Sequence, residues 1–193
     1  MGKRITIAAL ALLVVAASGI WWIASAGGFS TRQEPTAMEA MLARKARRLA
    51  IPSNAKNLPN PVELTPAVMD EARRHYADHC ATCHANDGSG NTEMGKNLYP
   101  KAPDMRGEAT QSLTDGELYF VIQNGIRLSG MPAWGEKSDH DHASWALVHF
   151  IRRLPQLSPT ELQDMRQFNP VSRMELKEEQ EEEEFLNGES EKK

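Results

Sequence analysis

The first pattern along the chain is an absence: from Ile5 to Ala26, 22 residues, no side chain is ionisable. At about 1.5 Å per residue that run makes a helix of roughly 33 Å, enough to cross a bilayer. Lys3 and Arg4 precede it, and Trp21 and Trp22 lie near its far end, where indoles favour the membrane interface. Beyond it the pattern turns amphipathic. Thr36-Ala37-Met38-Glu39 has the form of a capping box and predicts a helix to about Ala50, with Met38, Met41, Leu42, Ala46 and Leu49 on one stripe. Residues 51–64 hold three prolines and three asparagines and read as an irregular connector. Thr65-Pro66 then opens a helix in which Val68, Met69, Ala72 and Tyr76 repeat at helical spacing as far as His79. Thr114-Asp115-Gly116-Glu117 starts another, with Leu118, Val121 and Ile122 inward and Asn124-Gly125 as its stop. A further helix runs from about Asp141 to Leu154 on Trp145, Val148 and Ile151, and Ser158-Pro159-Thr160-Glu161 begins a short last one. No segment alternates with period two, so the expected fold class is all-α.

Charge divides the chain into three zones. Residues 1–56 carry eight basic and two acidic groups, residues 57–174 eleven and fifteen, and residues 175–193 three and nine. The part able to fold has no excess of positive charge, which argues against a nucleic-acid partner. The tail from Glu175 is a like-charge block expected to be solvated and disordered. The basic helix after the apolar run has two readings, a stalk packed on the domain or a helix lying on anionic headgroups. The apolar run has two as well. A signal peptide would use Ala24-Ser25-Ala26 as its cleavage site, but the length of the run and its tryptophans favour an uncleaved anchor.

The chemistry is concentrated in one pentapeptide, Cys80-Ala81-Thr82-Cys83-His84, which contains both cysteines of the chain. C-x-x-C-H is the attachment signature of a c-type haem. Two thiols one helical turn apart can add to the two vinyl groups along one side of a porphyrin, and the adjacent histidine reaches under the ring to the iron. A redox dithiol needs a strand-to-helix junction that this pattern lacks. A structural zinc site would have to find its remaining ligands among scattered histidines. One motif implies one haem c, held by two thioethers.

With these landmarks the chain resembles the class I c-type cytochromes, in particular small membrane-anchored bacterial ones with a single haem. The resemblance spans roughly Thr65 to Leu157. It rests on a helix into Cys80-x-x-Cys83-His84, a Gly-rich loop, Ala102-Pro103-Asp104-Met105, a helix, Gly130-Met131-Pro132-Ala133-Trp134 and a final helix. It implies a small helical bundle around the haem, with the first and last helices crossing. It also singles out Met131 as second axial ligand opposite His84, and the carbonyl of Pro103 as acceptor of the histidine N–H, with Pro100 as the alternative. Independently, a methionine between Gly130 and Pro132 in an interhelical loop has little reason to be a core filler. Met94 and Met105 are the other thioethers in reach. His75, His79, His140, His142 and His149 read as surface or helix-cap residues. Gly88 and Gly90 suit tight turns beside the porphyrin, and Trp134 suits either packing or a propionate contact.

The expected organisation is an anchor over 1–26, a linker with a short basic helix over 27–64, a cytochrome domain over 65–157, a short helix over 158–174 and the tail over 175–193. His/Met ligation leaves no open iron position, which implies single-electron transfer rather than catalysis. The expected location is the bacterial cytoplasmic membrane, single-pass, with the haem domain on the periplasmic side and redox proteins as partners. Two other readings are an electron-relay subunit of a larger membrane dehydrogenase or oxidase, and a haem sensor or enzyme with a labile distal ligand.

Overall fold

The computed structural model describes residues 2–25, 30–136 and 141–171, and the regular elements among those residues are all helices, with no strand. Helix α1 is Gly2–Ser25, and its described side chains are all exposed, as a helix built to meet lipid would leave them. Helix α2, Ala37–Ala50, starts where the capping pattern predicts, with the Thr36 hydroxyl accepting from the Glu39 amide. The acidic tail and His140 lie outside the described residues.

The segment expected as an irregular connector is more structured than its prolines suggest. It contains a short helix, α3 (Ser53–Lys56), and Ile51 is fully buried. Gly116 accounts for how closely this segment lies on the body: a Cβ there would come within 1.9 Å of the Ala55 carbonyl oxygen. Further along, Asn60 donates to the Trp145 carbonyl and the Val62 carbonyl meets His149 Nε2 at 2.8 Å.

The body is built on two long helical stretches. Helix α4, Pro66–His75, begins with Thr65 accepting from the Val68 amide. It does not stop near His79 but continues through a π-helical turn, Tyr76–Cys80, into α5, Ala81–His84. Helix α8, Asp115–Asn124, has both halves of the Thr114/Glu117 capping box and ends at Gly125 with φ of 64°. Helix α9, His142–Arg153, packs chiefly on α4 and α8 and is buried over most of its circumference. Between α5 and α8 lie two short helices, α6 (Glu93–Asn97) and α7 (Glu108–Gln111); α10 (Pro159–Met165) closes the body, with Ser158 and Glu161 as its capping box.

Packing follows the stripes read from the sequence. Ala72, Tyr76, Leu118, Ile122, Trp145, Val148 and Ile151 are all in the core. Tyr76 meets Phe150 with ring centroids 4.9 Å apart, and Tyr119 stacks on Trp145 at 3.9 Å. Offset and tilted aromatic pairs like these contribute about 0.5–1.5 kcal/mol beyond their buried area. Arg152 ties α9 to the loop before α8, donating to Asp115 and to the carbonyls of Gln111 and Leu113.

Candidate functional site

Both thiols and the histidine of the pentapeptide sit on the continuation of α4. The π turn brings the Ala81 amide back to the Tyr76 carbonyl, so one additional residue is accommodated just ahead of the first thiol. His84 is the last residue of α5, and Ala85 ends the helix with φ of 60°. The Tyr76 hydroxyl holds this break by donating to the Ala85 carbonyl at 3.1 Å. Burial, and then the neighbouring Cys83, push the Cys80 thiol up to about 12; burial also raises Cys83. Thiols shifted in that direction are poor nucleophiles for disulfide exchange. Among the described residues no group of three or more His, Cys, Asp or Glu side chains is placed to hold a metal ion.

The loop after the motif folds back beneath His84. Gly90 donates to the His84 carbonyl at 2.8 Å, Thr92 donates to the Cys83 carbonyl at 3.1 Å, and Met105 donates to the Gly88 carbonyl at 2.8 Å. Gly90 has φ of 72°, and a Cβ there would come within 2.3 Å of the Ala102 carbonyl oxygen. The strand of chain carrying Pro103 therefore lies directly on this glycine. His84 Nδ1 is buried without a hydrogen bond of ordinary geometry. Burial lowers the pKa of the ring, and the backbone of Pro103, which has only a carbonyl to offer, pulls it part of the way back up.

A narrow apolar hollow, about 30 Å³ in volume, opens between α4, α8, α9 and the loop before α9. Cys80, His84 and Met131 all line it; Met105, Ile122, Leu147 and Ile151 supply apolar wall, and Trp134 closes one side. Met94 is exposed and is not part of the wall. The loop that carries Met131 is held by the Ile126 amide donating to the Met131 carbonyl, by Ser129 Oγ accepting from the Met131 amide, and by the Trp134 amide donating to Ile122. Gly125 lets it double back: a Cβ there would meet the Pro132 carbonyl carbon at 2.6 Å.

One histidine is differently placed from the surface position expected of it. His75 lines the cavity, while His79, exposed as expected, packs edge-on against His75 and Trp134 at 4.9 and 5.5 Å. Their four-residue spacing on one helix face accounts for the contact between the two rings.

The residues fit a covalently held haem: two thiols on one helical edge, a buried imidazole with an unpaired nitrogen, and an apolar hollow with a thioether facing into it. These features are those of a c-type cytochrome domain. Residues 67–151 match the family model for cytochrome c oxidase, cbb3-type, subunit III. Among curated proteins the chain is similar to the cbb3-type cytochrome c oxidase subunit FixP of Sinorhizobium medicae (strain WSM419) and to that of Rhizobium meliloti (strain 1021). Each is 34% identical over 70 residues, 36% of this chain and 22% of the relative. The chain thus matches about a fifth of the length of these relatives.

Proposed function

We propose that this protein is a mono-haem electron carrier, anchored by α1, whose cytochrome domain over 65–157 works on the periplasmic face of the cytoplasmic membrane. Cys80 and Cys83 would hold a single haem c through thioethers, with His84 and Met131 as axial ligands. When bound, the haem supplies a one-electron oxidation and reduction at iron. The chain's own residues do the rest. Pro103 offers its carbonyl to the His84 Nδ1–H, which fixes the ring and raises its donor strength. Ile122, Leu147 and Ile151 exclude water from the hollow, and Ser129 and Gly125 set the backbone that carries Met131.

The observation that carries this reading is that Met131 and His84 line one cavity together with Cys80. Both iron positions would then be filled, which suits electron transfer and leaves no place for oxygen to bind. The test is an electronic spectrum of the full chain in both redox states. The oxidised protein should show the thioether-to-iron charge-transfer band, and Met131→Ala should abolish it; an unchanged spectrum in the variant would remove Met131 as ligand. A haemochrome assay should give one haem per chain.

A second reading has its own support. The curated relatives are named as cbb3-type oxidase subunits, so this chain would serve as an electron relay fixed in such a complex. Mild detergent extraction separates the two: a defined oxidase co-purifying with the chain favours the relay, and a lone chain favours the mobile carrier.

A further inference from the structure

Helix α2 is held on the cytochrome body by one side only. Its two least exposed residues are Ala40 and Arg47, seven positions apart and therefore on one face. Arg48 near its C-terminal end donates to the backbone and hydroxyl oxygens of Ser112. At its N-terminal end Glu39 pairs with the Tyr99 hydroxyl, and just ahead of the helix Glu34 pairs with Lys101. These contacts bracket the helix and fix its rotation.

The apolar stripe lies on the other side. At about 100° per residue, Met38, Leu42 and Leu49 all fall within roughly 20° of the point opposite Ala40. They are 69%, 55% and 83% exposed. Lys45 projects about 40° from the centre of that stripe, and among the described residues it has no carboxylate within ion-pair distance. Eleven residues, 26–36, separate α1 from α2. At no more than about 3.5 Å each they keep α2 within roughly 40 Å of the end of α1.

We propose that the outward face of α2, formed by Met38, Leu42 and Leu49 with Lys45 beside them, docks on the anionic lipid surface of the bilayer that α1 enters. The helix then serves as a plate between membrane and haem domain. Position and charge favour lipid: the tether keeps the exposed apolar stripe near the bilayer, and Lys45 beside it matches an anionic headgroup. Area disfavours a second copy. A 14-residue helix is about 21 Å long and presents on the order of 200 Å² along one stripe, well below the roughly 800 Å² per partner of a stable interface.

The inference rests on α1 being retained as an anchor. Its test is amide hydrogen exchange on the full-length, haem-loaded chain in nanodiscs of phosphatidylcholine alone or with phosphatidylglycerol at three parts in ten. The intact mass is recorded first. Amides of α2 should exchange about tenfold more slowly in the anionic discs, those of α4 should be unchanged, and Leu42→Ser with Leu49→Ser should abolish the difference. Both leucines are exposed, so the variant keeps its core. Equal exchange in the two lipids, with the chain intact, overturns the proposal and leaves the anchored carrier standing. So does protection that appears only with two chains per disc or only on adding an oxidase complex. A mass corresponding to residues 27–193 overturns the anchor and the docking together.

Discussion

Gly90→Ala is the substitution for which the structure gives the most defined expectation. The backbone there has φ of 72°, a conformation that costs an L-residue about 1–2 kcal/mol. The new Cβ would also lie 2.3 Å from the Ala102 carbonyl oxygen and 3.2 Å from that of Pro103, where ordinary contact begins near 3.4 Å. These are backbone atoms and cannot rotate aside, so the 102–103 segment must retreat by about 1 Å, at an overpacking cost of about 1–3 kcal/mol. Together the two effects destabilise the haem-loaded protein by about 2–5 kcal/mol. Guanidinium unfolding followed by circular dichroism reads this as a lower midpoint with an unchanged slope. The same retreat withdraws the Pro103 carbonyl from His84. A weaker imidazole donor favours ferrous iron, so the midpoint potential should move up. Gly107→Ser is the control: its φ is −77°, its Cβ would meet nothing closer than 3.5 Å, and serine is a better cap for α7. Stability of Gly90→Ala within about 0.5 kcal/mol of the parent, or a potential that falls, would refute the close approach described between Gly90 and the Pro103 segment.

Phe150, fully buried against Tyr76, should cost about 3–5 kcal/mol when replaced by alanine, read as a lower thermal and chemical midpoint; a loss under about 1 kcal/mol would mean the α4–α9 contact is not central to the core. Asp141 caps α9. Burial works to raise its pKa, but hydrogen bonds from the amide and hydroxyl of Ser144, from Gln123 Nε2 and from the Glu136 amide outweigh it and lower the value. A depressed carboxyl contributes stability that is complete above its ordinary value near 3.8 and lost as pH falls through the folded value. Asp141→Asn should therefore be less stable at neutral pH and lose less stability on acidification below about pH 5; an acid limb identical to the parent's would rule the cap out as its source.

Where the sequence declared a local rule, the structure follows it. Thr65, Thr114 and Ser158 cap the helices they announce, because each hydroxyl satisfies an amide that has no partner within the helix. Cys80, Cys83 and His84 were legible for the same reason, since their spacing is itself the chemistry. Position relative to the cavity was less so. His75 looks like any polar residue on an amphipathic helix, and only the π turn and the approach of α9 decide that it faces inward. Residues 51–64 carry the composition of a loose connector. They pack because Gly116 on a distant helix lets the Ala55 backbone approach, a long-range fact no local window contains. Likewise the two readings of α2 differ only in which side meets the body, which depends on partners 60 or more residues away, at Tyr99 and Ser112.

The π turn between Tyr76 and Cys80 makes this chain unequally tolerant of changes in length at neighbouring places. Removal of one residue within the turn would let it tighten to an ordinary α-helix, with backbone hydrogen bonds still available throughout. Five π-helical residues turn through about 410° and four α-helical ones through about 400°, so Cys80, Cys83 and His84 would keep close to their present direction. The same deletion in α4, ahead of the turn, has no surplus residue to absorb it and would swing the motif by about 100° while the helix survived. Helical content alone would not tell the two deletions apart.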